Sequence, residues 1–219
     1  MKKLLKQLIP RRIIAHDLGR RGRGLVLLTF DDGPSGDVTR GVLSLLEAHD
    51  AKALFFVIGE RVKKDPELTR CITQAGHEIG NHSHTHFIDR PPQHNEYRAD
   101  LALCQEAVRE ATGHSPVYYR PPGGHLTPAA LTASRSLGLQ LVRWNAGGGD
   151  WNCTAPESVA PTADRILHET TDGSIVLLHD NTRQNVHILD RILTELVGRG
   201  FNLSLGLEVL RECTGTPPR

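Results

Sequence analysis

From about residue 25 to residue 212, short apolar runs alternate with longer amphipathic stretches. The runs at 25–30, 53–58, 78–80, 117–119, 139–144, 175–178 and 201–203 predict strands, and the stretches at 38–49, 66–75, 96–112, 128–137, 157–170, 186–199 and 207–211 predict helices. Val186, Leu189, Ile192, Leu193 and Leu196 recur on one helical face, the stripe a helix needs to cover a sheet. Gly76, Gly113, Gly138 and Gly200 punctuate the helix ends. Repeated strand-then-helix units predict a parallel sheet, either an open doubly wound one or an incomplete relative of the eightfold barrel. Both architectures put chemistry at the C-terminal ends of the strands. An active-site group should therefore directly follow a predicted strand.

Composition narrows the setting. With 219 residues, 38% hydrophobic and 23% charged, the chain reads as a globular protein with enough length for a substantial core. The net charge of +1 conceals a division: residues 1–24 carry eight Lys/Arg against Asp17, so that segment is +7 and the remainder is −6. A mildly acidic body offers no footprint for nucleic acid. The expected organisation is a basic leader over 1–24, a single catalytic domain over 25–212 and a loose tail over 213–219. Residues 1–12 lack the unbroken apolar run, about 7–15 residues long, of a secretory signal. Leu4, Leu5 and Leu8 with Lys2, Lys3 and Lys6 form either a solvated leader or a basic amphipathic turn able to touch an anionic membrane surface. No segment is long enough to span a bilayer, so the expected location is the cytoplasm or the inner membrane face, with a monomer as the default. Cys71, Cys104, Cys153 and Cys213 show no zinc-knuckle spacing and read as free thiols.

Several polar clusters meet the strand-exit criterion. The run at 25–30 leads into Asp31-Asp32-Gly33-Pro34. Neighbouring side chains on a strand face opposite ways, so these acids cannot flank a glycosidic bond unless the chain bends, although they can take different tasks around one ion. The plain alternative is a turn with a helix-capping acid. The run at 78–80 leads into His82-Ser83-His84-Thr85-His86. On a helical turn, His82 and His86 would share one face, close enough to share a metal. One Asp and two His fill three corners of a tetrahedral zinc site and leave one for water or substrate; His84 is expected to point elsewhere. The plain alternative is a set of surface histidines. Arg120-Pro121-Pro122-Gly123-Gly124, Asp150-Trp151 and His179-Asp180 follow later strands. Each has a dull explanation, as a surface charge, a loop acid or a core histidine, but a random scatter would have put most of them in helices.

Taken in order, Thr29-Phe30-Asp31-Asp32-Gly33-Pro34, His82 to His86, Arg120 to Gly124, Asp150-Trp151 and Leu177-Leu178-His179 resemble the five motifs of the polysaccharide deacetylases, carbohydrate esterase family 4 or the NodB-homology domain. The resemblance spans about residues 25–205. It implies an α/β fold, a distorted, incomplete (β/α)7 barrel. It implies one divalent metal, zinc or else cobalt or another, held by Asp32, His82 and His86, with Asp31 as general base. It also implies His179 as general acid supported by Asp150, Arg120 as the partner that keeps Asp31 ionised, and the Gly123 N–H as a donor to the developing oxyanion. Trp151 and Leu177 would wall the pocket for the acetyl methyl group.

The chain departs from the family pattern at Gly123, where Tyr is common, at Gly147-Gly148-Gly149, where an earlier Asp is usual, and at Phe87, where Pro often stands. None of these removes a ligand, base or acid. Aromatics are only 5% of the chain, so rows of rings for a long crystalline polymer are not expected. A short oligosaccharide, or a cell-wall or exopolysaccharide intermediate containing N-acetylhexosamine, suits the site better. An O-acetyl (acetylxylan-type) esterase with the same centre and a non-catalytic sugar-binding module are the alternatives.

Overall fold

The computed structural model describes residues 10, 11, 13–87 and 94–216. The strands are β1 (Ile14–Ala15), β2 (Val26–Asp31), β3 (Ala53–Val57), β4 (Glu78–Asn81), β5 (Tyr118–Tyr119), β6 (Gln140–Val142), β7 (Ala146–Gly147) and β8 (Ser174–His179). The helices are α1 (Asp37–Ala48), α2 (Gly59–Lys64), α3 (Pro66–Gln74), α4 (His94–Thr112), α5 (Pro128–Ser136), α6 (Val159–Glu169), α7 (Arg183–Gly198) and α8 (Gly206–Thr214). All strand pairs are parallel, in the order β1-β6-β5-β4-β3-β2-β8-β7. The sheet curls into a distorted, incomplete (β/α) barrel with helices outside, as the motifs implied.

The period-2 alternation of strand side chains builds two cores from one sheet. On the outer face Val26, Leu28, Phe30, Phe55 and Val57 pack against Ile188, Leu189 and Ile192 of α7. On the inner face Leu27, Leu54, Phe56, Tyr118, Val142 and Ile175 fill the barrel, and Leu207 and Leu210 of α8 join them at the strands' N-terminal ends. There Arg211 pairs with buried Glu78 at 2.7 Å. With that end plugged by apolar packing, the inward positions at the other end are left for polar groups.

Three sequence expectations need correction. Residues 201–203 make only an isolated bridge, Leu25 with Asn202, because the chain turns at once into α8. The described part of 1–24 is not a leader but part of the body. Ile14–Ala15 pairs with β6, Leu18 is fully buried, and Asp17 bridges to Ser174, tying the strand at one open edge to β8 near the other. Thr214 is likewise buried at the end of α8 rather than in a loose tail. The short strands β1 and β7 were not expected, since two residues each give no readable alternation. The proposed membrane-contacting residues Lys2 to Leu8 lie outside the described residues. All four cysteines carry free thiols, and no described helix is long and apolar enough to cross a membrane.

Candidate active site

Inward alternation along β2 runs Leu27, Thr29, Asp31, which carries the Asp31 carboxylate to the mouth of the barrel. There the backbone bends: Asp32 takes the left-handed conformation (φ 74°), so the second acid turns toward the same centre instead of the opposite face. The condition that the chain bend between the two acids is thus met. Arg120, directly after β5, is completely buried rather than a surface charge. Its Nη1 donates to Asp31 Oδ1 and to Thr29 Oγ1, both at 2.8 Å, its Nε to Val142 O at 3.2 Å and its Nη2 to Arg143 O at 2.9 Å. The guanidinium also lies 4.2 Å from the Phe56 ring centroid. A buried cation needs this density of partners.

His82 leaves β4 on the same inward register, and His86 reaches it without a helical turn. Residues 82–87 form an irregular loop in which Ser83 (φ 69°) and His86 (φ 52°) are both left-handed. His86 N donates to Ser83 Oγ at 3.0 Å, and Asp100 of α4 accepts from His84 N and Thr85 Oγ1, at 2.6 and 2.9 Å. His84 points away, with its buried Nδ1 beside Gly59. His82 Nδ1 lies 2.7 Å from Arg120 O. A carbonyl oxygen only accepts, so Nδ1 carries the proton and the Nε2 lone pair faces the centre.

Asp32 Oδ1 lies 2.9 Å from His86 Nε2 and 3.4 Å from His82 Nε2. Asp32, His82 and His86 each bring one donor atom within 4.8 Å of the others. Burial by itself would raise the Asp32 carboxyl, but when His82 and His86 are protonated their charge outweighs it and holds the group well below the usual carboxylate range. Asp32 Oδ1 is nonetheless a buried oxygen with no hydrogen bond. Such an orphan beside two aimed imidazole nitrogens fits a bound divalent cation, and one oxygen with two nitrogens suits zinc or a similar borderline ion.

On the opposite side, His179 ends β8 and is in register with Asp31 of β2. Its Nδ1 lies 2.9 Å from Asp150 Oδ1, and its backbone N donates to Asp150 Oδ2 at 2.7 Å. Burial lowers the affinity of the ring for a proton, but Asp150, with Asp31 and Asp32 beyond it, prevails and lifts the pKa to about 9. Asp150 is fully buried and steadied by Asn185, whose Nδ2 donates to Asp150 O and Oδ2 at 3.1 and 3.2 Å. Asn185 itself belongs to the capping box that Thr182 opens on α7.

The cleft between these groups measures about 800 Å³ and includes Gly123, Trp151 and Leu177 in its lining. Gly123 sits in a tight turn at φ 60°, Trp151 is 55% exposed, and Leu177 is nearly buried. Phe87, at the Pro position, instead packs edge-on against Tyr97 with ring centroids 4.8 Å apart. Thr29 stood in the first motif without a role, and Asn185 and Asp100 were not singled out in the sequence; the Thr182-to-Asn185 spacing is the one signal available for them, and it reads as a cap.

The family model described as polysaccharide deacetylase matches residues 19–142, more than half of the chain. A Bacillus cereus peptidoglycan-N-acetylglucosamine deacetylase is 33% identical over 213 residues, covering 95% of this chain and 98% of that protein. The Listeria monocytogenes peptidoglycan-N-acetylglucosamine deacetylase PgdA is 35% identical over 176 residues, 80% of this chain but only 36% of that longer protein. Among solved structures, a peptidoglycan N-acetylglucosamine deacetylase superposes with a TM-score of 0.79 at 28% identity, covering 87% of this chain and 89% of that one. A CE4 family pseudoenzyme from Bacillus anthracis superposes with a TM-score of 0.78 at 26% identity, covering 90% of this chain and 68% of that one. One fold therefore serves active and inactive members, and activity must be argued from side chains. The motifs, the curled parallel sheet and these similarities agree that the chain belongs to the polysaccharide deacetylase family, carbohydrate esterase family 4.

Proposed function

We propose that this protein is a metal-dependent deacetylase that hydrolyses the N-acetyl group of an N-acetylhexosamine-containing glycan. One observation carries the reading: Asp31 and His179, in register on neighbouring strands, flank the point where Asp32, His82 and His86 converge. Asp32, His82 and His86 would hold a divalent cation, which would supply Lewis-acid polarisation of the acetyl carbonyl and acidify a water. Asp31, fixed by Arg120, takes the proton of the attacking water. The Gly123 N–H donates to the oxygen on which negative charge develops, a type of contact worth about 100- to 1000-fold in rate. His179, kept protonated by Asp150, returns a proton to the departing amine nitrogen. Leu177 and Trp151 hold the acetyl methyl and exclude water from it.

The names of the relatives favour an amide on an amino sugar over an O-acetyl ester. The test is acetate release from chito-oligosaccharides, peptidoglycan fragments and acetylated xylan, after chelation and again after metal add-back. Release from the N-acetyl substrates that vanishes on chelation and returns with zinc or cobalt is expected. Release from xylan alone makes the protein an O-acetyl esterase, and sugar binding without turnover in metal-replete protein makes it a binding module.

A further inference from the structure

The turn after β5 presents the Gly123 N–H at the cleft with no side chain of its own to anchor it, since Gly stands where Tyr is common in the family. Gly123 and Gly124 are both left-handed, with φ of 60° and 67°, and two successive glycines hold one conformation only if their surroundings fix it. What fixes this turn comes from the residues directly after β6. A Cβ on Gly124 would lie 2.6 Å from Trp144 Cη2, so the turn rests on the indole. Arg143 Nη1 donates to Gly124 O at 2.9 Å, and the guanidinium carbon lies 5.3 Å from the Trp144 ring centroid. The Arg143 backbone is itself held on both sides: its N donates to Ala15 O of β1 at 2.7 Å, and its O accepts from Arg120 Nη2 at 2.9 Å.

Arg143 is not placed for stability. It is half-buried and has no carboxylate partner among the described residues; burial disfavours its charge, and that charge works against the neighbouring Arg120. Departures of this kind gather at functional sites. Its hydrogen bond opens a chain that ends at the reacting centre. The Gly124 carbonyl that accepts from Arg143 shares its peptide group with the His125 N–H, which donates to Pro122 O at 3.2 Å. The Pro122 carbonyl in turn shares its peptide group with the Gly123 N–H. The turn closes through that His125 bond and through Gly124 N to Pro121 O at 2.8 Å, neither of which uses the Gly123 N–H. A cation that draws electron density from the first carbonyl makes each following N–H a stronger donor, the cooperative strengthening of a hydrogen-bond chain.

We infer that Arg143 is a positioning residue for the oxyanion donor: through Gly124 and the His125–Pro122 bond it fixes and polarises the Gly123 N–H that meets the acetyl oxygen in the transition state. The inference rests on the deacetylase reading and deepens it. Gly123, Gly124 and Trp144 line the cleft and Arg143 stands behind them, so its charge acts on the reaction without occupying the substrate's space. Arginine suits the place because its planar group can lie against a ring and still donate in its own plane.

The experiment follows acetate release from chito-oligosaccharides by zinc-loaded wild type, Arg143→Lys, Arg143→Gln and Arg143→Met. Arg143→Met should lower kcat about tenfold, a part of the roughly 100- to 1000-fold that a whole oxyanion donor is worth. KM and the zinc dissociation constant should each change by less than about twofold, since neither substrate binding nor the metal ligands are touched. Arg143→Lys, which keeps the charge, should recover more of kcat than Arg143→Gln, which keeps only a neutral donor. With isotopically labelled glycine, the Gly123 amide proton followed by NMR without substrate should move upfield in Arg143→Met and less far in Arg143→Lys. Should Arg143→Met fail to fold, the Lys and Gln variants carry the same comparison. An unchanged kcat, an unmoved Gly123 proton, or a kcat loss matched by an equal loss of zinc affinity overturns the inference and makes Arg143 a prop of the fold. Wild-type turnover in that case still upholds the deacetylase reading. No acetate from zinc-loaded wild type refutes that reading instead, and the Gly123 shift then still decides whether Arg143 polarises the turn.

Discussion

The two walls of the cleft are built on opposite plans. On the side of β2, β4 and β5, charged groups are buried and bonded to one another: Arg120 alone joins Asp31, Thr29 and two backbone carbonyls. On the side of β7, next to the buried Asp150–His179 pair, three glycines expose backbone, and the Arg165–Glu169 pair over them is exposed. Preorganised, water-poor surroundings are where fixed charges act most strongly on a reaction, while an open wall accommodates what is attached to the reacting group. Substitutions on the first wall should therefore abolish chemistry or stability, and those on the second should retune them.

The largest effect is expected for His82→Ala, which removes a nitrogen from a three-ligand set. Zinc titrated by calorimetry should no longer bind, and acetate release should fall to background. Asp31→Asn should still bind zinc but lose about 10²- to 10⁴-fold in kcat, the range for a general base. A variant that keeps turnover while losing Asp31, or loses metal with it, would merge two roles that the geometry keeps apart. Next is Arg120→Met. It leaves the Asp31 carboxylate and several acceptors buried without their donor, and chemical denaturation should show a loss of about 3–5 kcal/mol.

Acid strength on the second side gives a smaller, graded effect. In metal-free protein His179 titrates near 9 against an ordinary 6.5. Its charged form is thus favoured by folding: the stabilisation is complete below about pH 6.5 and disappears as pH rises through 9. Asp150→Asn removes the main source of the rise, so the His179 ring followed by NMR should titrate well below 9, where burial alone would drive it. Bound cation opposes the imidazolium, so the alkaline limb of kcat in loaded enzyme should lie below 9, and Asp150→Asn should move it further down.

How much of this was legible before the fold was known differs between the walls. The main strands and the residues at their exits followed from hydrophobic period and from the motifs, because long strands with one inward face impose a readable alternation. The inward register of Asp31, Arg120 and His179 follows from that same alternation. What stayed hidden depends on single backbone turns and on contacts distant in sequence. Asp32 reaches the centre through a left-handed turn and His86 through an irregular loop, not the helical turn that a spacing of four suggested. Asn185 looks like a helix cap, and only folding shows that its amide reaches back to Asp150. The segment 1–24 read as a basic leader because its eight Lys/Arg dominate its composition, while Ile14, Ala15 and Leu18 do the packing. Charge counts describe the surface and cannot see a two-residue strand.

The finest test of the open wall compares neighbouring glycines. Gly147 and Gly148 share a left-handed backbone, so an alanine at either costs about 1–2 kcal/mol from conformation alone. Their surroundings differ: the added methyl at Gly148 would meet Leu177 Cδ2 at an ordinary 3.4 Å, whereas at Gly147 it would lie 2.4 Å from the Leu177 backbone oxygen. A backbone oxygen within β8 cannot move without disturbing the strand that ends in His179, so the β7 segment must move instead, and Asp150 lies three residues beyond Gly147. Gly148→Ala should therefore lose stability in denaturant titrations with kcat nearly intact. Gly147→Ala should lose more stability and also lower kcat, because the Asp150–His179 bond is displaced. Equal kcat in the two variants would mean that the wall tolerates displacement at both positions, and that Asp150 is held by Asn185 and β8 rather than by the glycine loop.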